Sequence, residues 1–171
     1  EIRIINSDSG NMKKISMLGT GLIGEFYTMS LHSQRRKDVV HNVCSLTAEL
    51  ARAFALKWNI PKYTASMKEA IEDPEVDVVV VALPNYLHKE EIFKAIKAGK
   101  NVYCEKPLAV NLKEAGEIIK LTGRSKLKLQ IAFMYRQSPA LMRAKQLIEK
   151  GFLKKVFSFR AAYLHSGYVD E

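Results

Sequence analysis

The sequence predicts an α/β fold in which a doubly wound parallel sheet carries helices on both faces. Three observations predict it: strand and helix patterns alternate along the chain, the strand segments are nearly continuous apolar runs, and a glycine-rich turn joins the first strand to the first helix. Such alternation is typical of parallel sheets, because each return to a parallel strand needs a crossover, usually a helix, over one face of the sheet.

The elements of the first half can be assigned in order. Their patterns predict a strand near 15–18, a helix over 22–31, a strand at 39–44, a helix at 47–58, a short helix from Ser66, and a buried strand within 76–84. In the second helix, Leu50, Phe54 and Trp58 form the apolar stripe that should face the core. Ser66 and Glu69 have the spacing of a capping box.

The second half continues the alternation and then changes character. We expect a helix at 89–98 ending at Gly99, a strand at 101–104, a helix opened by Asn111 and Glu114, a strand within 128–135, a helix at 138–151 and an alternating strand at 155–165. The last strand cannot bury its apolar face alone. We therefore divide the chain into an N-terminal extension or tag (1–11), the parallel-sheet domain (12–136) and the beginning of a second α+β domain with an open antiparallel sheet (137–171).

Length and composition limit the class of protein. The chain has 171 residues, 47% of them hydrophobic and 26% charged, as in an ordinary globular protein. No apolar run reaches the roughly 20 residues that a membrane helix needs, and no secretory signal is visible. We interpret Cys44 and Cys104 as buried reduced thiols, which favours a cytoplasmic location and no membrane partner.

The net charge of +9 raises the alternative of a nucleic-acid binder. Two short basic clusters, "SQRRKD" and "GRSKLK", stand out, but the other lysines and arginines are scattered over predicted helix faces. No basic run has the interleaved aromatic residues of a single-strand binding surface. We therefore expect no nucleic-acid partner; the excess charge could instead attract an anionic cofactor.

The glycine-rich turn "GTGLIG" is the first candidate binding site. Gly19, Gly21 and Gly24 follow the first strand and precede the first helix, which is the context of a dinucleotide fingerprint of the Rossmann type. The backbone there approaches the pyrophosphate, and the helix N-terminus favours its negative charge. The expected contacts include the intervening Thr20, Leu22 and Ile23. A purely structural turn is the alternative.

Other candidate residues follow the remaining strands, because ligands of open α/β sheets bind outside the carboxyl ends of the strands. On the cofactor side we expect Ser45, Leu83, Pro84, Asn85, His88, Glu105, Lys106 and Pro107, and on the substrate side Tyr135 and Arg136. Asn85 could also cap the next helix, and His88 fits a polar first-turn residue better than a base. The other histidines lack metal-ligand spacing and companion carboxylates, so we assign no metal.

Lys106, in "CEKPLA", is the candidate catalytic residue. Pro107 restricts Lys106 to extended geometry, which holds the lysine at the strand tip. A lysine near a nicotinamide ring could hydrogen-bond a reacting hydroxyl or exchange a proton with it. An ordinary surface lysine before a turn is the alternative.

Ser45 bears on the choice between NAD and NADP. NAD sites place an acidic residue about 20 positions past the glycines, where it accepts a hydrogen bond from the ribose 2′-hydroxyl. Ser45 stands there, so the charge that would repel a 2′-phosphate is absent, and we favour NADP over NAD. Alternatively, Ser45 only caps the following helix and either cofactor fits.

Four stretches, in order, resemble the Gfo/Idh/MocA family, named after glucose–fructose oxidoreductase, inositol dehydrogenase and rhizopine catabolism proteins. They are "ISMLGTGLIG", "VDVVVVALPNYLH", "AIKAGKNVYCEKPLA" and "GFLKKVFSFRAAY", and they span residues 14 to about 163. The resemblance implies a nicotinamide dinucleotide domain followed by a domain whose open sheet closes the substrate site and pairs subunits, so we expect a homo-oligomer at full length.

The resemblance also implies an activity, hydride transfer between the cofactor and a hydroxyl or carbonyl carbon of a sugar, cyclitol or related diol. Lys106 matches the family's active-site lysine, and Tyr135 and Arg136 lie where the family lines the substrate side. The family's catalytic histidine, in an Asp-x-x-x-His pattern, falls beyond residue 171, and His165 lies too early to be it. We therefore expect this chain alone to be inactive. A non-catalytic dinucleotide sensor or regulator is the alternative.

Overall fold

The computed structural model describes residues 12–35 and 37–162. Within this range the chain forms two compact units, one ending at Phe133 and the other beginning at Met134. The expectations placed on residues 1–11 and on 163–171, including His165, lie outside the described residues.

The first unit is built on six parallel strands. They are β1 (Lys14–Leu18), β2 (Val39–Cys44), β3 (Lys62–Thr64), β4 (Val78–Val81), β5 (Asn101–Cys104) and β6 (Leu129–Ile131). Their order across the sheet is β3-β2-β1-β4-β5-β6, and every neighbouring pair is parallel. The order reverses between β1 and β4, as in a doubly wound sheet, which confirms the expected fold class.

Helices connect the strands, and a last helix belongs to the second unit. They are α1 (Leu22–Met29), α2 (Ala48–Trp58), α3 (Met67–Glu72), α4 (His88–Lys97), α5 (Leu112–Gly123) and α6 (Pro139–Glu149). The chain continues past α1 as a π-helix over Ser30–Arg35, and a 3₁₀ turn over Asn85–Leu87 precedes α4. No helix among the described residues has the length and apolar character needed to cross a bilayer.

Side-chain caps open the helices where the sequence predicts them. The Ser66 hydroxyl accepts a hydrogen bond from the Glu69 N–H at 3.3 Å, and Asn111 Oδ1 accepts one from the Glu114 N–H at 2.9 Å. At the other end of a helix, Gly99 follows α4 with φ +76°, as expected of a glycine that ends a helix. These local signals therefore fix the ends of α3, α4 and α5.

Two hydrophobic clusters form the core, one on each face of the sheet. All four residues of Val78–Val81 are buried, and successive strand residues point to opposite faces of the sheet. Val79 and Val81 therefore pack in the cluster that includes α3, α4 and α5. Val78 and Val80 pack in the cluster on the other face. On that second face α2 contributes Phe54 and Ala55. The apolar stripe predicted for α2 is wrong at Leu50, whose side chain is 51% exposed. The buried face of α2 includes Ala51 instead.

The described part of the strand predicted at 155–165, residues 155–162, does not form a strand. Residues 155–162 have no regular secondary structure, and Phe157 and Phe159 are 90% and 86% exposed. A strand needs a neighbour to satisfy its backbone groups, and no strand in the described part of the chain pairs with this segment. Residues 163–165 of the predicted strand lie outside the described residues.

Candidate functional site

Two of the three glycines in the turn after β1 are required by the protein's own backbone. Gly19 has φ +108°, and a Cβ at this position would lie 2.3 Å from the carbonyl oxygen of Ala82. A Cβ on Gly24 would lie 2.2 Å from the carbonyl oxygen of Gly19. Any side chain at these positions would overlap main-chain atoms of the turn and of the β4 end, so both glycines are structural.

Gly21 differs from the other two glycines. Its φ of −75° suits any residue, and a Cβ there would meet nothing within 4 Å. Gly21 immediately precedes α1, whose first N–H groups have no partner within the helix and favour an anion. The protein leaves open the space that a side chain would fill, which is what a pyrophosphate approaching this helix start would require.

Glu105 links α1 to the end of β5. Its side chain is buried, and Oε1 accepts a hydrogen bond from the Tyr27 hydroxyl of α1. Its Oε2 accepts the backbone N–H of Lys106 at 3.0 Å. Burial, with this carboxylate, raises the pKa of Tyr27, so Tyr27 stays a hydrogen-bond donor. Lys106 itself is exposed at the carboxyl end of the sheet.

His88 is placed as expected, in the first turn of α4, but it is more deeply buried than a surface polar residue. The side chain is 1% exposed. Nδ1 lies 2.8 Å from the carbonyl oxygen of Pro107, and Nε2 lies 2.8 Å from that of Leu83. Both ring nitrogens are therefore engaged with backbone. The sequence carries no signal for this bridge, because both partners are main-chain carbonyls, which every residue carries, and Pro107 is 19 residues away.

The expectation that Asn85 caps the following helix is wrong. Asn85 begins the 3₁₀ turn, and α4 starts after Leu87, which offers no side-chain cap. Because of this turn, Asn85 lies before the N-cap of α4, which is Leu87. Pro84 and Asn85 are exposed, and Leu83 is partly buried.

Ser45, at the end of β2, is buried and bonded to the glycine turn. Its Oγ lies 2.6 Å from the Oγ1 of Thr20, and its N–H donates to the carbonyl of Thr64 at 3.3 Å. The cap of α2 is Thr47, whose side chain accepts the N–H of Leu50. The alternative that Ser45 caps this helix is therefore wrong, while its side chain stands beside the candidate phosphate site.

The two substrate-side candidates lie in the second unit. Tyr135 and Arg136 belong to the 3₁₀ turn Met134–Gln137. With Leu141, Met142 and Lys145 they line an open pocket of about 390 Å³. Their role stays a prediction.

Both cysteines are buried and reduced, as expected. Burial raises the pKa of Cys44 to about 11 and that of Cys104 to about 12, with neighbouring carboxylates adding to the effect. Thiols with such raised pKa values carry little thiolate and are poor nucleophiles. Neither cysteine is a candidate catalytic group.

A cluster of charged side chains lies on the opposite side of the sheet from the glycine turn, towards the amino ends of the strands. His41 Nε2 is 3.2 Å from Glu75 Oε2, and these groups with Asp73 resemble a metal-ligand set. Lys62 Nζ, however, already lies 3.0 Å and 2.8 Å from the Asp73 and Glu75 oxygens. Hydrogen bonds from Lys14 and Lys62 lower the pKa of Glu75 to about 2. Lysines neutralise these carboxylates, and we assign no metal here.

The sheet order, the open glycine turn and the residues at the strand tips define a dinucleotide-binding α/β protein. Comparison with known proteins agrees: the sequence model of GFO_IDH_MocA, described as an oxidoreductase family with an NAD-binding Rossmann fold, matches residues 13–133. The chain belongs to this family of NAD-binding oxidoreductases.

Characterised relatives include sugar and diol dehydrogenases. The chain is 30% identical over 167 residues to levoglucosan dehydrogenase of Pseudarthrobacter phenanthrenivorans, covering 91% of this chain and 42% of the relative. It is 37% identical over 148 residues to trans-1,2-dihydrobenzene-1,2-diol dehydrogenase of Danio rerio, covering 84% of this chain and 43% of the relative. The chain thus spans less than half the length of these relatives.

Solved structures agree on the fold. Levoglucosan dehydrogenase in complex with NADH and levoglucosan superposes with a TM-score of 0.81 at 28% identity, covering 85% of this chain and 41% of that one. Scyllo-inositol dehydrogenase of Lactobacillus casei, with bound NAD(H) and scyllo-inositol, superposes with a TM-score of 0.79 at 21% identity. The match covers 84% of this chain and 43% of that one, and at this identity it shows a shared fold alone.

Proposed function

We propose that this chain is the cofactor-binding part of an enzyme that transfers a hydride between a nicotinamide cofactor and a hydroxyl or carbonyl carbon of a sugar, cyclitol or related diol. One observation carries the proposal beyond family membership. Tyr27, in the helix that starts at the glycine turn, bonds Glu105, which in turn bonds the N–H of Lys106. The backbone of Lys106 is thereby tied to the helix that begins at the open glycine turn.

The residues at the carboxyl ends of the strands would contact different parts of the cofactor. The glycine turn at 19–24 would hold the pyrophosphate, Ser45 would face the ribose of the adenosine half, and the tips of β4 and β5 would border the nicotinamide half. That last group comprises Leu83, Pro84, Asn85, Glu105 and Pro107. The nicotinamide ring supplies the hydride acceptor or donor. Lys106 would hydrogen-bond the reacting oxygen and hold or release its proton.

For the cofactor we propose NADP rather than NAD. Ser45 places a neutral hydroxyl where an NAD-specific site has a carboxylate, and the next residue, Leu46, is exposed and uncharged. Ser45 and Leu46 themselves carry no charge that would repel a 2′-phosphate.

At full length we propose a second domain that covers the substrate side and joins subunits into a homo-oligomer. Tyr135 and Arg136 would contribute to the substrate side. The names of the relatives, which include dehydrogenases of levoglucosan and of a cyclic diol, support a polyhydroxylated small substrate. The two reduced cysteines fit a cytoplasmic location.

The test is Lys106→Met in the full-length protein. Because positioned proton transfer contributes on the order of 10²–10⁴-fold, we expect kcat to fall by about that factor while cofactor affinity is largely kept. Lys126→Met, at an exposed loop lysine, is the matched control and should keep full activity. A Lys106→Met variant with normal turnover would contradict the role of Lys106. A wild-type protein that binds the cofactor but turns over no polyol would favour the sensor instead.

A further inference from the structure

We propose that His88 is a positioning residue, which ties the loop after β4 to the loop after β5 and thereby sets the position of Lys106. The inference rests on the proposed function, because it concerns the placement of the lysine in that site. The observation behind it is the pair of short contacts from one buried ring to two separate loops. Nδ1 is 2.8 Å from the Pro107 carbonyl oxygen and Nε2 is 2.8 Å from the Leu83 carbonyl oxygen.

The carbonyl that Nδ1 contacts belongs to the residue directly after Lys106. On the other side of the lysine, Glu105 is held by the Tyr27 hydroxyl and donates its own N–H to the carbonyl of Val81 at 3.0 Å. Lys106 is therefore anchored through both of its neighbours: through Glu105 to α1 and β4, and through Pro107 to α4. Removing His88 would release the second anchor and leave the first.

Both partners of the His88 ring are carbonyl oxygens, which only accept hydrogen bonds. A neutral ring has one N–H and can donate to one of the two carbonyls, whereas a doubly protonated ring donates to both. A direct part in proton transfer to substrate is excluded by the same geometry, because the ring is 1% exposed and both nitrogens face backbone. The side chain acts on the reaction through Lys106.

His32 provides a matched comparison inside the chain. His32 is only partly buried, but like His88 it has both ring nitrogens on backbone groups. Nδ1 lies 3.1 Å from the Trp58 carbonyl oxygen, and Nε2 accepts the Val40 N–H at 3.2 Å. Its partners belong to α2 and β2 and do not adjoin Lys106. Loss of His32 should cost stability alone, whereas loss of His88 should also change catalysis.

The experiment uses the full-length protein with His88→Phe, His88→Gln and His32→Phe, assayed well below each variant's melting temperature. Phe keeps the ring volume and removes both bonds; Gln keeps an amide that can donate. Since a misplacement of about 1 Å can cost about 10²-fold, we expect His88→Phe to lower kcat by about 10- to 100-fold. We expect cofactor Kd to change by less than about fivefold, because the glycine turn is untouched. His88→Gln should recover part of kcat, and His32→Phe should keep it.

The outcomes separate the two claims. A wild-type protein without turnover contradicts the proposed function itself. The positioning role is overturned if the wild type turns over substrate and His88→Phe keeps both kcat and cofactor Kd within about twofold of the wild-type values. If His88→Phe does not fold, His88→Gln decides: a lowered kcat at unchanged cofactor Kd supports the proposal, and an unchanged kcat overturns it.

Discussion

Among single residues, the three glycines of the turn differ in whether the fold would tolerate a side chain at their position. At Gly19 and Gly24 a Cβ would lie within 2.3 Å of a carbonyl oxygen, so the fold itself excludes a side chain. At Gly21 the surroundings are open. The motif thus contains two glycines that the turn itself requires and one, Gly21, beside which the space is open.

This contrast gives a prediction for Gly21→Val. The variant should fold normally, because its backbone angles and surroundings accept a side chain, but it should lose dinucleotide binding because the valine fills the space that the pyrophosphate needs. Calorimetric titration with cofactor and thermal melting measure the two effects. Gly116→Ala, in open space on α5, is the control and should bind normally. Equal affinities of wild type and Gly21→Val would contradict the binding role of the turn.

Ser45 supports a second prediction about a single residue, which concerns the choice between NADPH and NADH. The wild type should bind NADPH more tightly than NADH, and Ser45→Asp should shift the preference toward NADH by about tenfold or more, because a carboxylate repels the 2′-phosphate. Ser45→Asn, neutral and similar in size to Asp, controls for the loss of the hydrogen bond to Thr20. Both dissociation constants must be measured at one salt concentration. The NADP assignment fails if NADPH does not bind more tightly, or if the Asp variant shows no shift.

Among secondary-structure elements, the end of α3 and the start of β4 depend on a lysine from elsewhere in the chain. Lys100, just before β5, is buried, and its Nζ donates to the carbonyl oxygens of Asp73 at 2.8 Å and Val76 at 2.7 Å. Asp73 ends α3, where a positive charge also favours the helix dipole. The ammonium group therefore joins the segment that follows α3 to the residue before β5.

Lys100→Met should accordingly lower the free energy of unfolding by about 1–3 kcal/mol, because it removes two hydrogen bonds from a charged donor to backbone carbonyls. Lys97→Met, at an exposed site three residues earlier, should change it by less than about 0.5 kcal/mol. Urea unfolding of the two variants gives the comparison. If both variants had the stability of the wild type, the ammonium contacts would contribute nothing to folding.

The elements also show what can be inferred from sequence and what cannot. Continuous apolar runs, glycine stops and polar caps are local signals, and strands such as Val78–Val81 and the start of α3 lie where those signals predict them. The prediction for Leu50 was wrong because the face of α2 that meets the sheet is set by packing with distant residues. The prediction for Asn85 was wrong because a 3₁₀ turn starts at Asn85 itself. Residues 155–162, the described part of the strand predicted at 155–165, form no strand, and no strand in the described part of the chain pairs with them. The contact between His88 and Pro107, 19 residues apart, also depends on the tertiary fold and could not be predicted from local patterns.

For the molecule as a whole, the unit that ends at Phe133 contains every candidate cofactor residue, from Gly19 to Pro107. Its core clusters draw on residues between Ile15 and Ala132, and none of their buried members lies in the second unit. In that second unit, Phe152, Phe157 and Phe159 are each more than 70% exposed. Cofactor binding and folding therefore have their physical basis in the first unit.

The last prediction compares the 171-residue chain, a version ending at residue 133, and the full-length protein. All three should bind the dinucleotide with dissociation constants within about threefold of one another, and the two shorter chains should melt at similar temperatures, since they share the same buried core. Only the full-length protein should turn over a polyol, because only it would contain the whole domain that we propose covers the substrate side. Initial rates with a panel of sugars and cyclitols, at saturating cofactor, give the comparison. Robust turnover by the 171-residue chain would mean that Lys106 and the second unit suffice for catalysis, and a loss of cofactor binding on ending the chain at residue 133 would mean that the first unit is not self-sufficient.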